Sequence, residues 1–161
     1  MKIGVVSDTH IRTLDDLREI KEIASRHFQG VDLILHAGDL VILDVLETLK
    51  GIAKTIAISG NMDPPGVREA LPSKTVIEVD RFKIGLVHGW GPPTGLAERV
   101  KGEFSEVNCI VFGHTHEPFN EIIDGILLFN PGSATNKIFA SQNYVGILEV
   151  DEEIKGKIVK V

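Results

Sequence analysis

Five times in 161 residues a short apolar run stops abruptly at Asp, Asn or His, usually beside a glycine that lets the backbone turn: "IGVVSDTH", "LILHAGD", "TIAISGN", "IGLVHG" and "CIVFGHTH". Such runs read as buried strands. In the first half they alternate with amphipathic helical stretches, the pattern of α/β units around a largely parallel sheet. Lys2 to Ser7 is the first strand. "TLDDLREIKEIASRHF" then carries Leu14, Leu17, Ile20, Ile23 and Ala24 at helical spacing, with Thr13 and Asp16 placed as in a capping box and an end before Gly30. "VDLILHAGD" as strand, "VILDVLETLK" as helix closed by Gly51, and "AKTIAISGN" as strand repeat the unit.

After the Pro/Gly loop "MDPPGVREALP" the pattern changes. "KTVIEV" and "FKIGLVHG" flank Asp80-Arg81 as a hairpin, and a helix from about Gly95 to Lys101 precedes "NCIVFGH". Asp124-Gly125 lies between two further β-like runs, and "YVGILEV" with "GKIVKV" closes the chain as another hairpin. No repeat, low-complexity stretch or linker interrupts the chain, so the changeover marks a second sheet within one domain spanning residues 1–161. The expected architecture is α/β: two sheets packed face to face with helices outside.

In α/β sheets ligand sites assemble at the carboxyl ends of strands, so the residues at the five exits are expected to share one edge. They are Asp8, His10, Asp39, Asn61, His88, His114 and His116. In an extended segment side chains two apart point the same way, which sends His114 and His116 toward one point. Covalent catalysis finds little support: no G-x-S-x-G occurs, and the single cysteine, Cys109, lies in an apolar run where a thiol is inert. Four imidazoles, two carboxylates and an amide suit first-row divalent ions, with Mn taken first and Ni, Fe or Zn also accepted, rather than Ca or Mg alone. Seven ligands exceed one tetrahedral site and suit two ions sharing a bridging carboxylate and water, the arrangement that activates a hydroxide for in-line phosphoryl displacement. Two divalent cations also leave a net positive centre able to attract phosphate, although the chain carries a net charge of −6. That charge gives no pull toward nucleic acid or an anionic membrane. Ser7 and Asp8 arrive too early for a signal peptide and no apolar stretch is long enough to cross a bilayer, so a cytoplasmic protein is expected.

"DTH", "GD", "GN", "HG" and "GHTH", in that order from Asp8 to His116, look like the calcineurin-like metallophosphoesterase superfamily, and the short length together with "FNPGSAT" resembles its small phosphodiesterase branch. The resemblance implies a four-layer α/β/β/α sandwich of two mixed sheets. It implies that Asp8, His10 and His116 hold one metal, that Asn61, His88 and His114 hold the other, and that Asp39 bridges. It implies a phosphodiester substrate of small-molecule class, hydrolysed by a metal-bridging hydroxide. The chain is also similar to the metallophosphoesterase-like retromer subunit, which uses this sandwich for protein contacts, so a protein-binding scaffold is the alternative. A pure scaffold is free to lose ligands, and here every position is filled, which favours the enzyme. Exposed β edges or apolar helices leave room for a homo-oligomer.

Two positions depart from the family pattern. Many members carry a histidine after the GN asparagine to protonate the leaving group, where this chain has Met62, and a thioether cannot donate a proton. Substrates with good leaving groups are therefore favoured and alkyl monoesters are expected to react poorly; aryl diesters are expected to outperform aryl monoesters. Where relatives read H-G-H, this chain has "HGWG", so Trp90 reads as a stacking wall for an aryl group or nucleobase, or as a packed aromatic. Asp63 reads as orienting Asn61 or as a loop cap, Arg12 as a phosphate contact or a solvated loop residue, and "NPGSAT" as backbone donors near the site or a plain turn. His27 is expected to be exposed near a helix end, and His36 to pack or bond behind the ligands rather than ligate.

Overall fold

A computed structural model describes residues 1–135 and 142–161. In chain order the elements are β1 (Lys2–Val6), α1 (Leu17–His27), β2 (Leu33–His36), α2 (Asp44–Lys50), β3 (Lys54–Ala57), α3 (Pro65–Ala70), β4 (Lys74–Val79), β5 (Phe82–Val87), α4 (Leu96–Lys101), β6 (Cys109–Val111), β7 (Phe119–Ile123), β8 (Ile126–Asn130), β9 (Tyr144–Val150) and β10 (Ile154–Lys160). They form two five-stranded sheets, ordered β10-β9-β1-β2-β3 and β4-β5-β6-β8-β7. In the first, β1, β2 and β3 run parallel; in the second, β5, β6 and β8 do, and each sheet carries antiparallel strands at its margins.

Alternation along the strands builds the layers. Ile3, Val5, Leu33 and Leu35 face Ile84, Leu86, Cys109 and Val111 across the middle of the molecule. Val6 and Ile34 turn outward instead, onto Ile20, Ala24, Val45 and Leu49 of α1 and α2. Ile110 and Phe112 likewise turn outward onto Leu96 and Val100 of α4. Each central strand is thus buried on both faces, which is why its sequence is continuously apolar rather than alternating. The result is the four-layer α/β/β/α sandwich expected from the sequence.

Several local readings are corrected. The Pro/Gly loop contains a helix, α3, started by Pro65 at a position whose N–H is not needed and burying Val67 alone; six residues are too few to show a period. No capping box forms at α1: Thr13 Oγ1 donates to the Asp16 carboxylate at 2.6 Å, and Asp16 makes no side-chain bond to the helix. α2 begins at Asp44 rather than Val41, which has a positive φ of 75°. The closing hairpin returns to the first sheet, with β9 antiparallel beside β1 in the register Lys2↔Glu149. No described helix is long and apolar enough to cross a membrane.

Gly66 sits in the first turn of α3 with an ordinary φ, and a methyl group added at its Cα would meet nothing within 4 Å. Gly66→Ala should therefore stabilise the fold by about 0.5 kcal/mol by narrowing the unfolded ensemble, read as a higher urea midpoint. An unchanged or lower midpoint argues that this helix is not formed in solution.

Candidate metal centre

All seven residues singled out by sequence lie just beyond the carboxyl ends of strands, where the two sheets open toward one edge. Five of them adopt the left-handed backbone: Asp8 at φ 52°, His10 at 46°, Asp39 at 59°, His114 at 74° and His116 at 61°. Each such residue costs on the order of 1 kcal/mol and persists only where its surroundings fix it. The fixing contacts are present. Asp8 N–H donates to Gly38 O at 3.1 Å and His10 N–H to Asp39 O at 3.0 Å, tying the β1 and β2 exits together. The fully buried Asp63 carboxylate accepts from the N–H groups of Asp39 (3.1 Å), Val41 (2.6 Å) and Gly60 (2.7 Å), which binds the β2 exit to the β3 exit. Asp63 is therefore the loop cap of its two readings.

"NPGSAT" also acquires a role. Asn130 Nδ2 donates to Gly113 O at 2.8 Å and Thr115 Oγ1 at 3.1 Å, Ser133 Oγ donates to Asp8 O at 2.7 Å, and Thr135 Oγ1 donates to Thr9 O. It holds the "DTH" and "GHTH" loops from behind.

The donor atoms converge. Asp8 Oδ2 accepts from Ser7 Oγ at 2.5 Å and from His114 N–H at 3.1 Å. The buried Oδ1 has no hydrogen-bond partner among the described residues and lies 3.2 Å from His116 Nε2, 3.8 Å from His10 Nε2 and 3.9 Å from His88 Nε2. Asp39 Oδ1 accepts from Met62 N–H at 2.8 Å, and its Oδ2 lies 3.3 Å from His88 Nε2 and 3.7 Å from His10 Nε2. Two triads, Asp8–His10–His116 and Asp8–Asp39–His88, each bring their ligand atoms within 4.8 Å of one another. Asn61 Oδ1 joins the second group, 3.1 Å from His88 Nε2 and 3.0 Å from His114 Nδ1.

Proton accounting tests whether these residues fit a cation. His88 Nδ1 is 2.7 Å from the Ala37 carbonyl and His114 Nε2 is 2.8 Å from the Gly91 carbonyl, so in each neutral ring those nitrogens carry the hydrogen. In the neutral rings this leaves His88 Nε2, His114 Nδ1 and Asn61 Oδ1 presenting lone pairs to one another; without a metal, His88 Nε2 carries a second proton that a cation would replace. His10 Nε2 and His116 Nε2 also face each other, at 3.2 Å. Lone pairs converging beside two carboxylates suit divalent ions, and the outward N–H bonds to carbonyls are what orient metal-binding imidazoles.

Charge completes the account. Burial opposes ionisation of Asp8, but His10, His116 and His88 outweigh it and hold the carboxyl far below its ordinary range. Asp39 is lowered in the same way, chiefly by His88 working against burial. Burial also opposes charge on His88, yet Asp39 and Asp8 push it up to about 9. Burial lowers the His36 pKa to about 3, and the ring packs between loop groups, with Nε2 3.1 Å from Thr9 Oγ1 and Nδ1 accepting from Gly38 N–H at 3.2 Å, beside the candidate ligands rather than among them. His27 is half-buried rather than exposed, Arg12 is exposed, and burial pushes the Cys109 thiol far up.

These shifts set a pH profile for the protein stripped of divalent ions. Between about 3 and 6.5 the unfolded chain holds a proton that folded His36 refuses, so stability falls as pH drops. Between 6.5 and about 9 folded His88 holds a proton that the unfolded chain has lost, so stability falls as pH rises. Stability should peak near pH 6.5, with limbs of up to about 1.4 kcal/mol per pH unit, and Mn should flatten the alkaline limb by displacing the His88 proton. A melting temperature of the chelated protein that climbs steadily to pH 9 contradicts this.

Residues 1–153 match the calcineurin-like phosphoesterase superfamily domain. A probable metallophosphoesterase from Methanocaldococcus jannaschii is 35% identical over 100% of this chain and 82% of its own length. A structure described as a novel archaeal phosphodiesterase superposes with a TM-score of 0.76 at 27% identity, covering 100% of both chains. Vps29 from Chaetomium thermophilum, at 19% identity and a TM-score of 0.76 over 100% of this chain and 97% of its own, shares the fold. With a family match over residues 1–153 and a relative 35% identical across the whole chain, this chain belongs to the calcineurin-like phosphoesterase superfamily.

Proposed function

We propose that this protein hydrolyses small-molecule phosphodiesters in the cytoplasm, using two divalent ions held by Asp8, His10 and His116 on one side and Asn61, His88 and His114 on the other, with Asp39 between them. The observation that carries the reading is Asp8 Oδ1: a buried carboxylate oxygen without a hydrogen-bond donor among the described residues, faced by three imidazole nitrogens. Bridging by Asp39 is supported by the position of its Oδ2 between His10 of the first set and His88 of the second. Such a pair of ions, Mn or else Ni, Fe or Zn, supplies Lewis acidity and a hydroxide nucleophile at neutral pH.

The chain's own groups shape which ester reacts. The residue after Asn61 is Met62, whose side chain is 53% exposed and has no proton to give, while its N–H is spent on Asp39. General-acid help of about 10²- to 10⁴-fold is therefore not available from this position, and substrates with good leaving groups are favoured. The Vps29 likeness is one of shape and fits the alternative of a protein-binding scaffold; the buried Asp8 Oδ1, which no donor among the described residues satisfies, favours a cation site and so the enzyme.

Assay of the Mn-loaded protein with bis(p-nitrophenyl) phosphate and p-nitrophenyl phosphate tests the reading. The diester is expected to turn over faster. Faster turnover of the monoester contradicts diester preference, and inactivity on both with Mn, Ni and Zn contradicts the enzyme.

A further inference from the structure

A cleft of about 400 Å³ opens beside the centre on its Asn61 and His88 flank, with Val87, Trp90, Arg68 and Lys74 among its lining residues. Its size suits a small-molecule site, and two candidate ligands form part of its wall. Trp90 is 45% exposed there, an unusual state for so large an apolar side chain. Its backbone is firmly held. Gly89 and Gly91 on either side have φ values of 101° and 77°, a conformation that suits glycine. Arg99 Nε donates to the Trp90 carbonyl at 3.1 Å, Nη1 to Thr94 O at 2.9 Å, and Nη2 to Pro92 O. The intervening Gly91 carbonyl accepts from His114 Nε2 at 2.8 Å. One guanidinium and one candidate ligand therefore fix the loop that carries the indole relative to the centre.

The cations of the cleft are already engaged. Lys74 Nζ bonds Glu103 at 2.7 Å, while Arg68 donates to the carbonyls of Asp63 at 2.6 Å and Asn61 at 3.1 Å. A second phosphate would have to compete with the Glu103 carboxylate for Lys74, whereas a neutral flat ring would not. We propose that this cleft is the subsite for a planar aromatic substituent of the phosphodiester, an aryl group or nucleobase, with Trp90 as its stacking wall. The proposal rests on the phosphodiesterase reading, and its test separates the two.

Trp90 is the only tryptophan in the chain, so its emission reports occupancy of the cleft directly. The Mn-loaded protein is titrated with AMP and with ribose 5-phosphate, which share sugar and phosphate and differ by the base. AMP should bind about tenfold more tightly and quench the emission saturably, since base stacking on an aromatic side chain is worth that much or more. Trp90→Ala should bring the two dissociation constants together, and Trp90→Phe should keep most of the difference. Equal constants in the wild type, or a ratio that survives in Trp90→Ala, overturn the subsite. Turnover of bis(p-nitrophenyl) phosphate on the same samples judges the other reading. Activity with equal constants sinks the subsite alone, while inactivity with a Trp90-dependent ratio sinks the diesterase and leaves Trp90 as the stacking wall of an aromatic-binding cleft that serves no diester.

Discussion

Asp39→Asn should cut Mn-supported turnover of bis(p-nitrophenyl) phosphate by about 10³-fold while leaving the protein folded. Asn preserves the size of the side chain and an acceptor oxygen for Met62 N–H, so the β2 exit and its Asp63 contacts have no reason to move. What changes is the atom now lying 3.3 Å from His88 Nε2 and 3.7 Å from His10 Nε2. An amide nitrogen there has no lone pair for a cation and no negative charge to offset two of them. Losing a shared ligand is expected to remove several kcal/mol of charge stabilisation, and each 1.4 kcal/mol is a factor of about ten in rate. A second readout separates a missing ligand from a damaged fold. His88 owes its raised pKa first to Asp39, after the opposing effect of burial, so the alkaline limb of the metal-free stability profile should flatten in the variant. Calorimetry with Mn should show weaker binding. Full turnover in a folded Asp39→Asn protein sinks the bridging role.

Much of this site was legible because its residue types announce themselves where strands stop. Asp8, His10, Asp39, Asn61, His88, His114 and His116 stand out against apolar runs. The strand period does not account for their convergence: β6 ends at Val111, His114 and His116 take the left-handed backbone beyond it, and they turn to different partners, His114 to Asn61 and His116 to Asp8. The residues that hold them were much harder to read. Asp63, Asn130, Ser133 and Arg99 act on backbone N–H and carbonyl groups, and every residue but proline carries both, so no partner side chain marks the pairing in sequence. Topology has the same limit. β9 finds β1 across more than 140 residues, as the Lys2↔Glu149 pair shows, and nothing in "YVGILEV" distinguishes the first sheet from the second. α3 hid behind Pro64-Pro65, which reads as a breaker although proline suits the first helical position.

The glycines at the strand exits are more than turn-formers, and Gly113→Ala is expected to show it with the largest stability effect of any single methyl. The φ of Gly113 is not among the positive ones, so alanine is conformationally acceptable there and backbone strain predicts little. Contact predicts much more. A Cβ at position 113 would lie 1.9 Å from Ser7 Oγ, 2.7 Å from Asp8 Oδ2 and 3.1 Å from Ser7 Cβ. Ser7 and Asp8 are wholly buried, so the hydroxyl cannot swing into solvent, and its bond to the Asp8 carboxylate must break. Overpacking typically costs about 1–3 kcal/mol, and loss of a buried charge-assisted hydrogen bond about 1.5–3 kcal/mol more. A total of about 4 kcal/mol is therefore expected, together with weakened Mn binding as Asp8 is displaced. Gly125→Ala is the control, because φ is +78° and nothing lies within 4 Å, so strain alone should cost about 1 kcal/mol. Ser7→Ala added to Gly113→Ala removes the 1.9 Å clash, and the double variant should be more stable than Gly113→Ala by urea denaturation, the opposite of additive damage. A Gly113→Ala protein within about 1 kcal/mol of wild type, or a double variant no better than the single, shows that the Ser7–Asp8 pair can give way and that close packing of "GHTH" on "SDTH" does not hold the centre together.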